Sequence, residues 1–189
     1  VTARSFRLAV ILLGIGAGLL ALLSWTQPWF TLTLVDGQEL EVAGQSAAPA
    51  LSALALASLA LSAALTIAGR VIRILLGVVE TGIGVLLLIV VLAAVFAPVA
   101  ASRQVVTDAT AVSGPDSIAA LVVAVATTPW PWLGLAAGLC AVIAGLGVVF
   151  GVSRWPAATR KYDTTTTDTR DDSTVGAWDA LSGGNDPTG

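Results

Sequence analysis

Residues 72–96 read IRILLGVVETGIGVLLLIVVLAAVF. Arg73 and Glu80 are the only charges in the stretch, and no other appears until Arg103. A helix of that length rises about 38 Å at 1.5 Å per residue, enough to cross the roughly 30 Å of hydrocarbon in a bilayer. The stretch therefore predicts a transmembrane helix, stopped at its far end near Pro98.

The same signature recurs on both sides. After Arg4 and Arg7 no charge appears from Leu8 to Val35, and Leu8–Ser24 is almost wholly Leu, Ile, Val, Ala and Gly. This predicts a first span over about 8–25. A cleaved signal peptide is the alternative, but the apolar run is long for that role and continues into Trp25, Pro28, Trp29 and Phe30 without a small-x-small site. A second uncharged stretch, rich in Ala, Leu and Ser, covers 49–68, with Pro49 suited to a first helical turn. Gly69, Arg70 and Arg73 then make a basic turn into the third span, 72–96. The fourth opens at Trp130-Pro131-Trp132 and runs over 130–152, before Arg154 and Trp155-Pro156. The whole chain agrees: of its 189 residues 56% are hydrophobic and 11% charged, with a mean hydropathy of +0.90, against about 25% charged in soluble proteins.

Between the spans the period changes. In 31–42, TLTLV and QELEV alternate apolar and polar residues around Asp36-Gly37, a pairing that favours a hairpin turn with positive φ. The loop 26–48 is thus expected to hold a β-hairpin. The loop 97–129 is mixed, broken by Asp108, Gly114, Pro115 and Asp116. Asp116 or Ser117 caps a short helix through Ala126, too brief for a fifth span and expected at the outer interface, with a dip into the bilayer as the alternative. Residues 157–189 are rich in Thr, Asp, Ser and Gly and cannot bury enough apolar surface to order themselves, so a disordered tail is expected there.

Basic residues set the orientation, because cytoplasmic loops retain Lys and Arg. Arg4, Arg7, Arg70, Arg73, Arg154, Arg160 and Lys161 fall on one side and Arg103 on the other. Both termini are expected in the cytoplasm. Trp25, Trp29, Trp130 and Trp132 would then mark the outer interface and Trp155 the inner one. The predicted architecture is all-α: a four-transmembrane-helix bundle over 1–156, with a small extracytoplasmic cap of hairpin and loop, loosely like a claudin in layout.

Few residues carry chemistry. The net charge of -3 and pI of about 4.7 leave no basic surface for nucleic acid. The sequence contains no histidine, a single cysteine (Cys140, inside an apolar run), no glycine-rich phosphate loop and no carboxylate pair sharing a membrane face. No metal, cofactor or catalytic centre is expected, and the chain reads as non-enzymatic. Glu80 is the one ionisable group clearly inside a span; seven residues past Arg73, it lies roughly 10 Å further along the helix and off the midplane. It is either a relay for protons or cations, or a contact to a partner helix, or a carboxyl that snorkels toward Arg70 or Arg73 or stays protonated. With no second buried polar group evident, the snorkelling or protonated reading is favoured. Gly14 with Gly18, Gly134 with Gly138, and Gly147 with Gly151 are small residues four apart, which lets helices approach closely; packing within the bundle is preferred over a homo-oligomer. In the tail, Trp178 and Leu181 lie one helical turn apart and are candidate docking residues for a cytoplasmic protein. The run Thr164–Thr167 is a weak candidate for phosphorylation.

Several strings occur in a fixed order: Gln27-Pro28-Trp29, Ala48-Pro49-Ala50-Leu51, Gly69-Arg70, Pro129-Trp130-Pro131-Trp132, Arg154-Trp155-Pro156, Arg160-Lys161-Tyr162, Trp178-Asp179-Ala180-Leu181 and Asp186-Pro187-Thr188. Together they resemble the actinobacterial Trp biosynthesis-associated membrane protein family of the tryptophan operon region, over nearly the whole chain. The resemblance implies a plasma-membrane location and a link to tryptophan synthesis, and brings no catalytic residues. Two functions from different classes follow as expectations: a membrane partner or adaptor coupling tryptophan metabolism to the envelope, or a small transporter or transporter subunit for tryptophan or an aromatic precursor with Glu80 facing a cavity. A purely structural role in the envelope is the third.

Overall fold

The computed structural model describes residues 3–151, with side chains from residue 5 onward. In chain order the elements are α1 (Ala3–Thr26), β1 (Pro28–Leu34), β2 (Glu39–Ala43), α2 (Gly44–Ala47), α3 (Ala50–Ala64), α4 (Arg70–Phe96), α5 (Pro98–Ala101), α6 (Arg103–Thr110), α7 (Pro115–Leu121), β3 (Val122–Thr127) and α8 (Trp130–Gly151). Three helical stretches, Ser5–Thr26, Arg70–Phe96 and Trp130–Gly151, are long and apolar enough to cross a membrane, with mean hydropathies of 2.3, 2.7 and 2.4. α3 is apolar but has only 15 residues, about 22 Å at the helical rise, and is shorter than the 49–68 span read from sequence. It ends early because Thr66 donates both its N–H and its Oγ1–H to the Ala63 carbonyl, while Ile67 N–H bonds to Ala64. These three-residue bonds tighten the last turn before α4 begins at Arg70.

The helices are turned inside out relative to a water-soluble bundle. Leu8, Leu12, Leu75, Val78, Leu86, Ile89, Leu139, Ile143 and Phe150 are exposed, whereas Ala17, Ala21, Ala55, Ala137 and Ala141 are buried together with Ser24, Ser58, Ser62 and Glu80. Large apolar side chains facing outward and small or polar ones facing inward is the arrangement of a protein whose solvent is lipid, where close helix contact and internal hydrogen bonds hold the bundle. This is an integral membrane protein.

A three-stranded sheet of order β2-β1-β3 sits at one end. β1 and β2 form the antiparallel hairpin expected from Asp36-Gly37: Gly37 has φ +83, Asp36 Oδ1 accepts from Gln38 N–H at 3.0 Å, and Leu34 N–H bonds to Gln38 O at 2.9 Å. Phe30, Leu32 and Leu34 alternate into the core, as the two-residue period requires. The loop 97–129 departs from expectation. The helix expected there, α7, stops at Leu121 instead of reaching Ala126, and Val122–Thr127 becomes a strand antiparallel to β1, Phe30 facing Thr127 and Leu32 facing Val125. The run VVAVAT is β-branched at four of six positions, which favours extended backbone, and the free edge of β1 supplies the partner. Val106 of α6 and Ile118 of α7 are buried, joining Phe30, Leu32 and Val42 in a core continuous with Leu51, Leu87 and Val91 of the helices.

The tryptophans are also divided differently from the interfacial ring read from sequence. Trp132 is 59% exposed, but Trp29 is fully buried. Its Nε1–H donates to Ser24 O at 2.8 Å and its ring meets Phe30 edge-on at a centroid distance of 6.3 Å. Trp29 is a core residue because the chain turns back at Thr26 into β1, where Trp29 and Phe30 are both buried. Trp155 lies outside the described residues, as does the tail 157–189.

Candidate functional site

The buried residues of α4 are Arg73, Gly77, Glu80, Ile83, Gly84, Leu87, Val91 and Ala94, all but Ile83 alternating four and three residues apart. That spacing keeps one seam against neighbouring helices over the whole length. Glu80 occupies the seam where α1, α3 and α4 meet and is 1% exposed. Its Oε1 accepts a hydrogen bond from Ser58 Oγ at 2.6 Å, and Ser58 Oγ also lies 3.5 Å from the Gly14 carbonyl of α1. Ser62, one turn further along α3, is 1% exposed, and its Oγ fills the place a side chain on Gly14 would take. Among the described residues, Glu80 Oε2 has no hydrogen-bond partner.

This geometry changes one reading made from sequence. Ser58 and Ser62 are the second polar groups that the sequence left unseen, and the carboxyl bonds across to α3, 22 residues earlier in the chain. Gly14 is near the middle of α1 and Ser58 near the middle of α3, while Gly77 and Gly84, on either side of Glu80, lie against Gly145 and Gly138 of α8. Glu80 therefore stands about halfway along its neighbours.

The glycines explain why these helices come so close. A Cβ on Gly84 would lie 2.6 Å from Val142 N and 2.9 Å from Gly138 O, and one on Gly77 would lie 3.0 Å from Gly145 O. α4 and α8 thus meet backbone to backbone. On α1, Gly18 faces Leu59 and the Ala55 carbonyl of α3. On α8, Gly134 faces Ser24 and Val91, Gly138 faces Leu88 and Gly84 O, Gly147 faces Val10, and Gly151 faces Phe6. At the sheet end Ser24 Oγ donates to Trp130 O at 2.8 Å, and at the other end Arg7 Nη2 donates to Thr66 O.

A transmembrane chain with a buried carboxyl, glycine seams and a sheet at one end can be compared with known proteins as a whole. The family model described as tryptophan-associated transmembrane protein matches residues 10–188. The chain belongs to that family. No curated protein and no solved structure matches it.

Within this member of the tryptophan-associated transmembrane family, the residues singled out from sequence fall into two groups. Glu80, Gly14, Gly18, Gly134, Gly138, Gly147 and Gly151 all face the bundle interior or a neighbouring helix. Trp178 and Leu181 lie outside the described residues. Sequence reasoning overlooked Gly77, Gly84 and Gly145, which with Gly138 make two pairs seven residues apart, one on α4 and one on α8, that meet backbone to backbone, and Ser58 and Ser62, an i, i+4 pair that puts two hydroxyls on one face of α3. Among the described residues no three His, Cys, Asp or Glu side chains gather to hold a metal ion, and Cys140 is a half-buried free thiol on α8. What the site can do is exchange hydrogen bonds between helices through one carboxyl and two hydroxyls.

Proposed function

We propose that this protein is a four-span plasma-membrane protein with both termini in the cytoplasm, acting as a non-enzymatic partner or adaptor in tryptophan biosynthesis. The observation that carries the reading is the backbone-close packing of α4 on α8 through Gly77, Gly84, Gly138 and Gly145, which gives a fixed helical platform for the sheet. Two features support α3 as the fourth crossing. Arg7, near the start of α1, bonds to Thr66 just beyond the end of α3, so the two helices run antiparallel over the same depth. The excess of Arg and Lys near the chain ends and the α3–α4 turn, against Arg103 alone beside the sheet, supports cytoplasmic termini. In this reading the sheet and α5–α7 form an extracytoplasmic cap, and Trp178 and Leu181 present an apolar patch to a soluble protein. Crosslinking in native membranes followed by identification of neighbours tests the role. A pull-down with the tail, wild type against Trp178→Ala, tests the patch; equal recovery of every protein would remove it. Reporter tags at the two termini appearing on opposite sides would refute the four-span count.

One observation favours a second reading, transport of tryptophan or an aromatic precursor. Glu80 keeps one oxygen without a hydrogen-bond partner among the described residues, deep between helices, and ionisable groups so placed mark substrate or ion pathways. Tryptophan and anthranilate efflux from a deletion strain decides it: efflux restored by wild type but not by Glu80→Gln supports transport, and efflux unchanged by deletion removes it.

A further inference from the structure

Glu80 is an acid kept where an acid is costly, 1% exposed between helices whose solvent is lipid. A carboxylate so placed needs a counter-charge, a proton or a bound cation. No counter-charge is close among the described residues. α3 and α8 carry no charged side chain, and the nearest ones to Glu80 on α4 and to Gly14 on α1 are Arg73 and Arg7, each seven residues or about 10 Å away along its helix. A proton fits the hydrogen bonds poorly. Ser58 Oγ lies 2.6 Å from Glu80 Oε1 but 3.5 Å from Gly14 O, and the longer contact is outside good hydrogen-bond range. The hydroxyl proton therefore belongs to Oε1, and the carboxyl only accepts. A proton on Oε2 would be a buried donor with nothing to receive it, because that oxygen has no hydrogen-bond partner among the described residues.

What remains is a set of oxygen ligands from three helices. The two carboxylate oxygens of α4 and the Ser58 hydroxyl of α3 meet the Gly14 carbonyl of α1. Ser62 Oγ, and Glu80 Oε1 at 3.8 Å, both lie against the position that a Cβ on Gly14 would take, so the missing side chain is what lets these oxygens gather. Oxygen ligands suit hard cations. One carboxylate among neutral oxygens balances one positive charge, whereas a divalent ion would leave a net charge buried. Size follows from the spacing. Two oxygens at right angles, each about 2.5 Å from an ion, stand about 3.5 Å apart, which is the separation of Ser58 Oγ and Gly14 O. Sodium, close to calcium in radius, has that ligand distance, and potassium needs a longer one. We propose that Glu80, Ser58, Ser62 and the Gly14 carbonyl form a sodium site where α1, α3 and α4 meet. Sodium there deepens the transport reading, since its gradient is what such a carrier would use, and rests on that reading only for that use. Efflux unchanged by deletion, with sodium binding retained, would remove transport and leave the site.

The test is thermal unfolding of the full chain in mild detergent, in sodium, potassium or choline chloride at equal ionic strength. Sodium at about ten times its half-saturating concentration favours the folded state about elevenfold and should raise the wild-type midpoint above its value in the other two salts. Glu80→Gln keeps an acceptor for Ser58 and removes the charge, so its midpoint should not distinguish the three salts. Ser58→Ala removes one ligand and should need about tenfold more sodium for the same rise. A second readout needs no variant. A hydrophobic carbodiimide modifies a buried carboxyl in its protonated form, and because ion and proton compete for Glu80, the same sodium concentration should slow its labelling in native membranes about tenfold. A wild-type midpoint that treats sodium and choline alike, potassium as effective as sodium, a sodium response retained by Glu80→Gln, or labelling of Glu80 that sodium does not slow would each overturn the site.

Discussion

Gly82 and Gly84 stand two residues apart on the same helix, and the structure assigns opposite outcomes to the same substitution. A Cβ on Gly82 meets nothing within 4 Å; on Gly84 it would come within 2.6 Å of Val142 N and 2.9 Å of Gly138 O. Both obstacles are backbone, so no rotamer change relieves them. Comfortable carbon contacts begin near 3.5 Å, so α4 and α8 must separate by roughly 0.5–1 Å, a gap that forfeits a quarter to a half of each contact's attraction along the seam. Overpacking of this kind costs about 1–3 kcal/mol, against a helix-propensity gain of about 1 kcal/mol for alanine over glycine. Gly84→Ala should therefore destabilise the bundle by about 0–2 kcal/mol net, while Gly82→Ala should leave it unchanged or add up to about 1 kcal/mol, so that the two variants differ by about the 1–3 kcal/mol of overpacking. Unfolding of detergent-solubilised protein by increasing SDS, followed by circular dichroism, reads both. If Gly84→Ala proves as stable as Gly82→Ala, the backbone contact between α4 and α8 is not what holds these helices at this distance, and the platform argument loses its basis.

Other consequences follow from the interior polar contacts and the hairpin. Glu80→Gln retains an acceptor for Ser58 Oγ and should stay within about 1 kcal/mol of wild type in the same unfolding assay, because interhelical hydrogen bonds in membranes average about 0.6 kcal/mol. Glu80→Ala also opens a void between α1, α3 and α4 and should lose about 2–3 kcal/mol; equal stability of the two variants would mean that the carboxyl does not pack there. Trp29→Phe removes the Nε1–H donor and leaves the Ser24 carbonyl without it, a loss of about 1 kcal/mol that should show as faster hydrogen exchange at the α1–β1 junction. Gly37→Val puts a branched side chain at φ +83, at a cost of about 1–3 kcal/mol, and should raise exchange in β1 and β2 while leaving α4 and α8 protected.

What the sequence determined by itself was the solvent and the local rhythm. Uncharged runs of about 20 residues have few fates other than lipid, and the Asp36-Gly37 pair between alternating segments has few fates other than a tight hairpin, so three long helices and β1–β2 were legible from composition and period alone. Glu80 stood out for the same reason, as a charge in a run that has almost none. Tertiary structure decided what meets what. Ser58 and Ser62 look like ordinary small residues of an Ala/Ser-rich helix until α3 is laid against Glu80. Gly77 and Gly84 become a seam only when Gly138 and Gly145 are opposite them. Val122–Thr127 leans toward extended backbone by its β-branched residues but follows a helix directly, and it is β1, far earlier in the chain, that supplies the hydrogen-bonding edge and makes it a strand. Trp29 passes for an interfacial anchor until the turn at Thr26 buries it. In each case the local sequence leaves two conformations or environments close in free energy, and a contact from a distant segment, invisible to spacing, selects between them.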